Sequence, residues 1–212
     1  MDGIIFDVDG TIWDATEVVA ESWNAAIKKH TDLDIHVTKE ILADLFGKTM
    51  EEICQILFPL LGEEEMFRIG NYCFEYENEL LESKHGVLYT GMRETIETLA
   101  KEYPLYIVSN CQCGYIEVML KTQKLGHYFK DHLCYGETKQ PKSYTIRKIM
   151  ERNNLKDVIY IGDTMGDATA CKEVGIPFVF TTYGFGQVAD AKWSIDAPLE
   201  LLDVILKMNH AK

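Results

Sequence analysis

The chain has 212 residues, of which 47% are hydrophobic and 26% are charged, a balance typical of a folded globular protein. Its formal net charge of -13 at pH 7 argues against nucleic acid or an anionic membrane as a partner, because neither attracts an acidic surface. No apolar run approaches the about 20 residues that cross a bilayer, and no basic leader precedes the first strand pattern, so we expect a cytoplasmic protein.

The first apolar run, Ile4 to Phe6, predicts a buried strand that ends at Asp7 and Asp9. Two carboxylates at this position repel each other and lose contact with water, which is unfavourable unless a partner compensates them. The rest of the sequence can therefore be searched for groups that would justify this pair.

The next segment, residues 15–86, has helical periodicity and contains no strand pattern. Helices are predicted over four stretches, 16–30, 39–46, 49–61 and 63–84. The spacing of Thr49 and Glu52 is that of a capping box, which sets the start of the third helix. An all-helical block thus interrupts the chain just after its first strand.

From Tyr103 onward, strand and helix patterns alternate. Strands are predicted over 104–110, 132–137, 157–163 and 177–186, and helices over 113–126, 142–155 and 166–175. Repeated units of this kind predict an α/β fold, in which helices cover both faces of a parallel sheet and the crossovers are right-handed.

The six cysteines have no spacing that suits zinc, so we expect reduced thiols that pack as small apolar groups. Cys111 and Cys113 flank one of the polar clusters described next, which makes them candidates for oxidation.

Polar side chains follow the ends of three predicted strands, and a lysine opens one of the helices between them: Asp7, Asp9, Ser109, Asn110, Lys142, Asp163 and Asp167. Each alone has an ordinary explanation as a helix cap, a turn residue or a surface charge. Ligands of an open parallel sheet, however, bind at the carboxyl ends of its strands. Together the carboxylates suit a hard cation such as Mg²⁺, and the lysine and hydroxyl suit a phosphate group.

These motifs resemble those of the haloacid dehalogenase-like superfamily, in particular its phosphoglycolate phosphatase-like and phosphomutase-like branch. FDVDGT (6–11) matches its D-x-D-G-T motif, IVSN (107–110) its strand ending in Ser or Thr, and GDTMGD (162–167) its G-D-[ST]-x-x-D motif. The remaining motif is a lysine at a helix start, for which we choose Lys142. Lys139 is the alternative, because KQPKS departs from the family's usual Lys-Pro pairing.

The resemblance covers essentially the whole chain and implies two domains. A three-layer, Rossmann-like catalytic core would comprise residues 1–14 and 87–212. Residues 15–86 would form a helical C1-type cap that determines substrate specificity. The candidate residues for contacting the leaving group of the substrate lie in the specificity loop of this cap and are Gly47, Lys48 and Thr49.

The resemblance also implies the chemistry. Asp7 would attack phosphorus to give an aspartyl-phosphate, and Asp9 would protonate the leaving oxygen and later deprotonate the attacking water. Mg²⁺ would be held by the Asp7 carboxylate, the Asp9 backbone carbonyl and Asp163, with Asp167 bound directly or through water. The transferred phosphoryl group would be held by Ser109, Asn110 and Lys142.

The predicted function is therefore a Mg²⁺-dependent phosphatase acting on a small phosphorylated metabolite, similar to phosphoglycolate or a sugar phosphate. The carboxylate of Asp9 argues against dehalogenation, since the dehalogenases lack one there. An alternative is a phosphomutase of the β-phosphoglucomutase type. A phospho-signalling receiver without enzymatic activity also fits the strand-end residues, but the inserted block at 15–86 argues against it. We expect a monomer, with a dimer left open.

Overall fold

The computed structural model describes residues 1–210. Within that range the chain forms eight strands: β1 (Gly3–Phe6), β2 (Trp13–Asp14), β3 (Val87–Leu88), β4 (Leu105–Ser109), β5 (Phe129–Cys134), β6 (Val158–Gly162), β7 (Phe178–Thr181) and β8 (Ser194–Ile195). The same range contains ten helices: α1 (Thr16–His30), α2 (Lys39–Leu45), α3 (Met50–Leu57), α4 (Glu63–Leu81), α5 (Met92–Leu99), α6 (Tyr115–Thr122), α7 (Tyr135–Thr138), α8 (Lys142–Arg152), α9 (Met165–Val174) and α10 (Glu200–His210).

Six of the strands form one sheet in the order β5-β4-β1-β6-β7-β8, and every neighbouring pair is parallel. The central strand β1 is buried along its whole length. Its residues are apolar because both faces of a parallel sheet are covered: Ile4 and Phe6 pack into one hydrophobic core and Ile5 into the other. The predicted α/β fold is confirmed, and β1 delivers the residues after Phe6 to the middle of the sheet's carboxyl edge.

Helices α1 to α4 lie between β2 and β3, which pair antiparallel with each other. The two connections between the sheet and these helices therefore run side by side. We call residues 15–86 the helical insertion. Its two longest helices, α1 and α4, pack together, with the rings of Trp23 and Phe74 in edge contact at 5.6 Å between centroids. Gly86 closes the segment where a side chain would not fit, since a Cβ there would lie 2.6 Å from the Trp13 ring.

The four helices predicted in the insertion are present, and the capping box at the start of α3 is formed. The Thr49 amide donates to Glu52 at 2.7 Å, and the Glu52 amide donates to the Thr49 hydroxyl at 3.3 Å. None of the helices within residues 1–210 is long and apolar enough to span a membrane.

The strand predicted over 132–137 is wrong in its bounds. The strand begins earlier, at Phe129, and ends at Cys134, after which the chain turns into the short helix α7. The carboxylate of Glu137 accepts a hydrogen bond of 2.9 Å from the Cys134 amide. That local bond satisfies the first free amide of a helix, which ends the extended chain at this point.

Candidate active site

Asp7 follows the last residue of β1 and is 2% exposed. Its Oδ2 accepts a hydrogen bond of 3.1 Å from Lys142 Nζ, whereas its buried Oδ1 has no hydrogen-bond partner among the described residues. Burial raises the pKa of Asp7 to about 6, because the charge of Lys142 only partly offsets the loss of water and Asp167 adds a second negative charge.

Lys142 is the first residue of α8, and only 7% of it is exposed. Its ammonium group lies 2.5 Å from Asp167 Oδ1 and 3.1 Å from Asp7 Oδ2. Burial alone would lower the pKa of Lys142, but these two carboxylates raise it well above its usual range, so the group stays charged. The alternative, Lys139, lies away from them: its side chain is 57% exposed and forms an ion pair with Glu51 at 3.7 Å. The structure thus places Lys142, and not Lys139, at the carboxylates.

Three of the predicted acidic residues form one cluster. Carboxylate oxygens of Asp7, Asp163 and Asp167 lie within 4.8 Å of one another, and all three residues are buried. Burial, together with the charges of Asp167 and Asp7, raises the pKa of Asp163 to about 7. Three buried carboxylates at this distance repel one another strongly, which favours either protonation or a bound cation.

Two carboxylate oxygens of the cluster have no hydrogen-bond donor among the described residues. Asp163 Oδ2 accepts the backbone amide of Phe185 at 2.8 Å and that of Gly186 at 3.3 Å, but its buried Oδ1, like that of Asp7, has no partner among residues 1–210. Both oxygens of Asp167 are already hydrogen-bonded. Two orphaned carboxylate oxygens in one buried cluster fit a hard divalent cation such as Mg²⁺, which binds oxygen ligands and removes their repulsion.

The glycine of the D-x-D-G-T motif is explained by the same cluster. Gly10 has φ of +73°, in the left-handed region that favours glycine, and a Cβ there would overlap the carboxylate of Asp163. The turn after β1 can therefore approach Asp163 only because this position lacks a side chain.

The carboxylate of Asp9 is turned away from the acidic cluster. Its Oδ1 accepts hydrogen bonds from the Tyr115 hydroxyl at 2.6 Å and from Trp13 Nε1 at 3.2 Å. Burial raises the pKa of Asp9 well above its ordinary value, and the charge of Asp7 acts in the same direction. A carboxyl group that keeps its proton near neutral pH can act as a general acid. The side chain of Asp9 is not a member of the cluster formed by Asp7, Asp163 and Asp167.

The predicted phosphate-binding pair lies at the end of β4. Ser109 is buried at the last position of that strand. The next residue, Asn110, donates a hydrogen bond of 2.8 Å to the carbonyl oxygen of Gly47 in the helical insertion. The two predicted regions, the strand end and the specificity loop, are therefore in direct contact.

The other two candidates of the specificity loop are held locally. Lys48 is exposed, and its Nζ donates to the carbonyl oxygen of Asp44 at 2.6 Å. The Thr49 hydroxyl takes part in the capping box with Glu52. Of the three loop residues, Gly47 and Lys48 line the cavity described next, and Thr49 does not.

A cavity of about 30 Å³ separates the helical insertion from the strand ends, and Asp7 and Asp9 are in its wall. A water molecule occupies roughly 10–15 Å³ of such space, so the cavity is too small for a phosphate ester. Two further hydrogen bonds join the insertion to the segment that follows β4. Asn78 donates to the Cys113 carbonyl at 3.0 Å and accepts from Gln112 at 3.1 Å. The insertion therefore covers the strand ends directly. A second cavity of about 620 Å³ opens beside it, where Lys142 and Asn110 are in the wall.

Several residues around the site were missed at the sequence level. Tyr115 and Trp13 hold Asp9, the amides of Phe185 and Gly186 hold Asp163, and Glu77 lies in the wall of the smaller cavity. Backbone amides and distant aromatic residues leave no motif. Glu77 had a signal, because a carboxylate there interrupts the apolar stripe of the helix at 63–84.

The parallel sheet, the inserted helices and the cluster of carboxylates and lysine at the strand ends are those of a hydrolase with a Rossmann-like fold. The chain belongs to the haloacid dehalogenase-like hydrolase family, whose sequence model matches residues 4–181. The resemblance found in the sequence is confirmed, and membership of a hydrolase family decides against the receiver alternative.

Relatives and solved structures agree with this assignment. The chain is 24% identical to the phosphoglycolate phosphatase of Vibrio vulnificus over 96% of this chain and 95% of that protein. It is 26% identical to the phosphoglycolate phosphatase of Photobacterium profundum, over 95% of this chain and 94% of that protein. Its fold is similar to that of a predicted phosphoglycolate phosphatase from Haemophilus somnus, with a TM-score of 0.84, 23% identity and coverage of 97% and 98%. Its fold is also similar to that of a haloacid dehalogenase-like hydrolase from Streptococcus pneumoniae, with a TM-score of 0.82, 21% identity, and coverage of 97% of this chain and 98% of that one.

Proposed function

We propose that the protein is a Mg²⁺-dependent phosphatase that hydrolyses a small phosphorylated metabolite through an aspartyl-phosphate on Asp7. One observation carries the proposal: the partnerless buried oxygens of Asp7 and Asp163 lie in one cluster beside the charged Lys142. This arrangement combines a nucleophile, a cation site and a fixed positive charge, which are the requirements of phosphoryl transfer.

The residues present fit a magnesium site. The Asp7 and Asp163 carboxylates and the Asp9 backbone carbonyl would hold the ion directly. Asp167 would act through water, since both of its oxygens already accept hydrogen bonds. When bound, Mg²⁺ neutralises charge on the phosphoryl oxygens and orients the phosphorus for attack.

In the first half-reaction, a carboxylate oxygen of Asp7 attacks phosphorus while the bond to the leaving oxygen breaks. Asp9 gives its proton to that oxygen, and the ammonium of Lys142, with Ser109 and Asn110, holds the phosphoryl oxygens. In the second half-reaction, water attacks the phosphorus and the bond to Asp7 breaks. Asp9, now ionised, takes the proton from the water and so returns to its starting state.

We assign residues 1–14 and 87–212 to a catalytic core and residues 15–86 to a cap. The paired linker strands β2 and β3 would serve as the hinge, near Asp14 and Ala15 on one side and between Gly86 and Gly91 on the other. Opening would break the hydrogen bond between Asn110 and Gly47 and admit substrate. Closing would exclude water from the reacting phosphoryl group.

The substrate is assigned only as a class. Relatives that carry the name phosphoglycolate phosphatase support a small phosphorylated metabolite. In the specificity loop we assign Gly47 and Lys48 to contact its leaving group, because both line the cavity beside Asp7 and Asp9. We expect the enzyme to work in the cytoplasm as a monomer.

The test is release of inorganic phosphate from p-nitrophenyl phosphate and a panel of phosphorylated metabolites. We expect activity in Mg²⁺, loss of activity in EDTA, and inhibition by Ca²⁺, whose looser coordination misplaces the Asp7 oxygen. Asp7→Asn should be inactive, whereas Asp34→Asn, a change of the same kind at an exposed position, should match the wild type. Undiminished activity in excess EDTA would contradict the proposal. An isomerised sugar phosphate without phosphate release would identify a mutase.

A further inference from the structure

Glu77 is a buried carboxyl group of the helical insertion that the proposed mechanism does not use. It is 3% exposed and lies on the apolar face of α4, beside the buried Phe74 and Leu81. It is in the wall of the same small cavity as Asp7 and Asp9. A carboxylate is strongly disfavoured in such surroundings unless it is paired and hydrogen-bonded.

The partners of Glu77 are neutral hydrogen-bond donors. Trp23 Nε1 donates to its Oε2 at 2.6 Å, and the side-chain amide of Gln112 lies close to the carboxyl group. Across residues 1–210, none of the ion pairs includes Glu77. Burial raises the pKa of Glu77 to about 7, while Gln112 and Trp23 oppose that rise. The group therefore carries a negative charge in mildly alkaline solution that no cation neutralises.

The other residues of the cavity wall determine which leaving groups can lie beside Glu77. On the side of the insertion it is formed by apolar side chains, including Met50, Ile53 and Phe74. Lys48 is the only cationic residue among the described residues of the wall, and its Nζ is already bound to the Asp44 carbonyl. A leaving group that carries a carboxylate would bring a like charge beside Glu77, whose buried carboxyl group has no cationic partner among the described residues. A leaving group that carries a hydroxyl would donate a hydrogen bond to it.

We propose that Glu77 determines specificity by selecting phosphate esters whose leaving group is neutral and carries a hydroxyl, as in polyol phosphates, against esters whose leaving group carries a carboxylate. This inference rests on the proposed phosphatase function. Discrimination arises on both sides: a charge-assisted hydrogen bond stabilises the bound polyol, and an unpaired like charge excludes the bound carboxylate. Phosphoglycolate, the substrate in the names of the relatives, belongs to the excluded class.

The experiment compares kcat/KM for glycerol phosphate and for phosphoglycolate, with Mg²⁺ at pH 8, where Glu77 is ionised. We expect the wild type to prefer glycerol phosphate by about tenfold or more, the usual effect of a hydrogen bond to a charged group. Glu77→Gln should shrink that ratio at least about fivefold, by lowering the first value and raising the second. Glu75→Gln, which removes the same charge from an exposed position of α4, should leave the ratio unchanged.

Thermal unfolding of each variant establishes that it is folded. If Glu77→Gln does not fold, Glu77→Asp provides the test: it keeps the charge but withdraws it by one methylene, so it should retain the exclusion of phosphoglycolate and weaken glycerol phosphate. A wild type that hydrolyses phosphoglycolate as well as glycerol phosphate overturns the inference, and so does an unchanged ratio in Glu77→Gln.

Failure of the proposed function gives a different result, namely no phosphate release by the wild type from any ester, p-nitrophenyl phosphate included. In that case calorimetric titration with the same two esters decides the inference. Preferential binding of glycerol phosphate that Glu77→Gln abolishes would support it. Equal binding of the two esters would overturn it.

Discussion

The hydroxyl of Tyr115 donates a hydrogen bond of 2.6 Å to Oδ1 of Asp9, although the two residues are 106 positions apart in the chain. The Tyr115 ring also packs edge-on against Trp13, with 5.7 Å between centroids, and Trp13 Nε1 donates to the same oxygen at 3.2 Å. Two donors from one aromatic pair thus fix the direction of the Asp9 carboxyl group. Because both bind Oδ1, proton transfer falls to Oδ2.

Tyr115→Phe should therefore impair acid–base catalysis without removing a reacting group. We expect kcat to fall about tenfold for alkyl phosphates, a small part of the about 10²–10⁴ that general acid–base catalysis contributes. The fall should be smaller for p-nitrophenyl phosphate, whose leaving group needs little protonation. Tyr144→Phe removes a hydroxyl from a half-exposed tyrosine and serves as control. Equal losses on the two substrates would show that Tyr115 does not position Asp9.

Lys142→Met should destabilise the fold as well as abolish activity. The ammonium of Lys142 is the partner of two buried carboxylates, Asp7 and Asp167, and removing one side of a buried ion pair typically costs about 3–5 kcal/mol. Lys139→Met breaks only an exposed pair and should change stability by less than about 1 kcal/mol. Urea unfolding in EDTA measures both. Equal stabilities of the two variants would mean that Lys142 does not compensate the cluster.

Metal-free protein should lose stability as the pH rises. The pKa values of Asp7 and Asp163 are raised from 3.8 to about 6 and about 7, so the folded state binds their protons more tightly than the unfolded state does. The resulting stabilisation is complete below about pH 4 and is lost as the pH passes through 6 and 7.

Mg²⁺ should reverse this loss, because it binds the ionised carboxylates. The gain in unfolding free energy on adding Mg²⁺ should therefore be larger at pH 8 than at pH 5, by at least about 1.4 kcal/mol, the equivalent of one pKa unit. Urea unfolding with Mg²⁺ or EDTA at each pH measures it, and Asp163→Asn should remove most of the difference. A gain independent of pH would show that the cluster does not bind the ion in its ionised form.

Much of the site follows from the order of residues along the chain. Asp7 and Ser109 each stand at the end of a strand, and a parallel sheet brings such ends to one edge. The apolar run of β1 indicates a strand covered on both faces, and its pairing with β4 and β6 places it in the interior of the sheet. The motifs and the strand pattern thus both predict a site at the carboxyl edge of the sheet.

What the sequence could not predict depends on contacts between distant parts of the chain. The bond between Tyr115 and Asp9 exists only because α6 starts above the end of β1. The strands β2, β3 and β8 have two residues each, too few for a periodic signal, so the pairing of the linkers appears only in three dimensions.

Asp9→Asn should separate the two half-reactions. The variant keeps the backbone carbonyl of Asp9 and can keep the hydrogen bonds from Tyr115 and Trp13, but it can neither give nor take a proton. An aryl phosphate has a good leaving group, so Asp7 should still become phosphorylated with a burst of phenol release. Hydrolysis of the aspartyl-phosphate requires a base, so the phosphorylated protein should accumulate. An alkyl phosphate should instead stall before the first transfer, because its leaving oxygen must be protonated.

Rapid-quench kinetics and intact-mass measurement follow both substrates, with Asp7→Asn as the variant that can never be phosphorylated at this position. If Asp9→Asn turned over alkyl phosphates at the wild-type rate, Asp9 would not be the acid–base residue, and the chemistry proposed for the carboxylate pair at the end of β1 would have to be assigned anew.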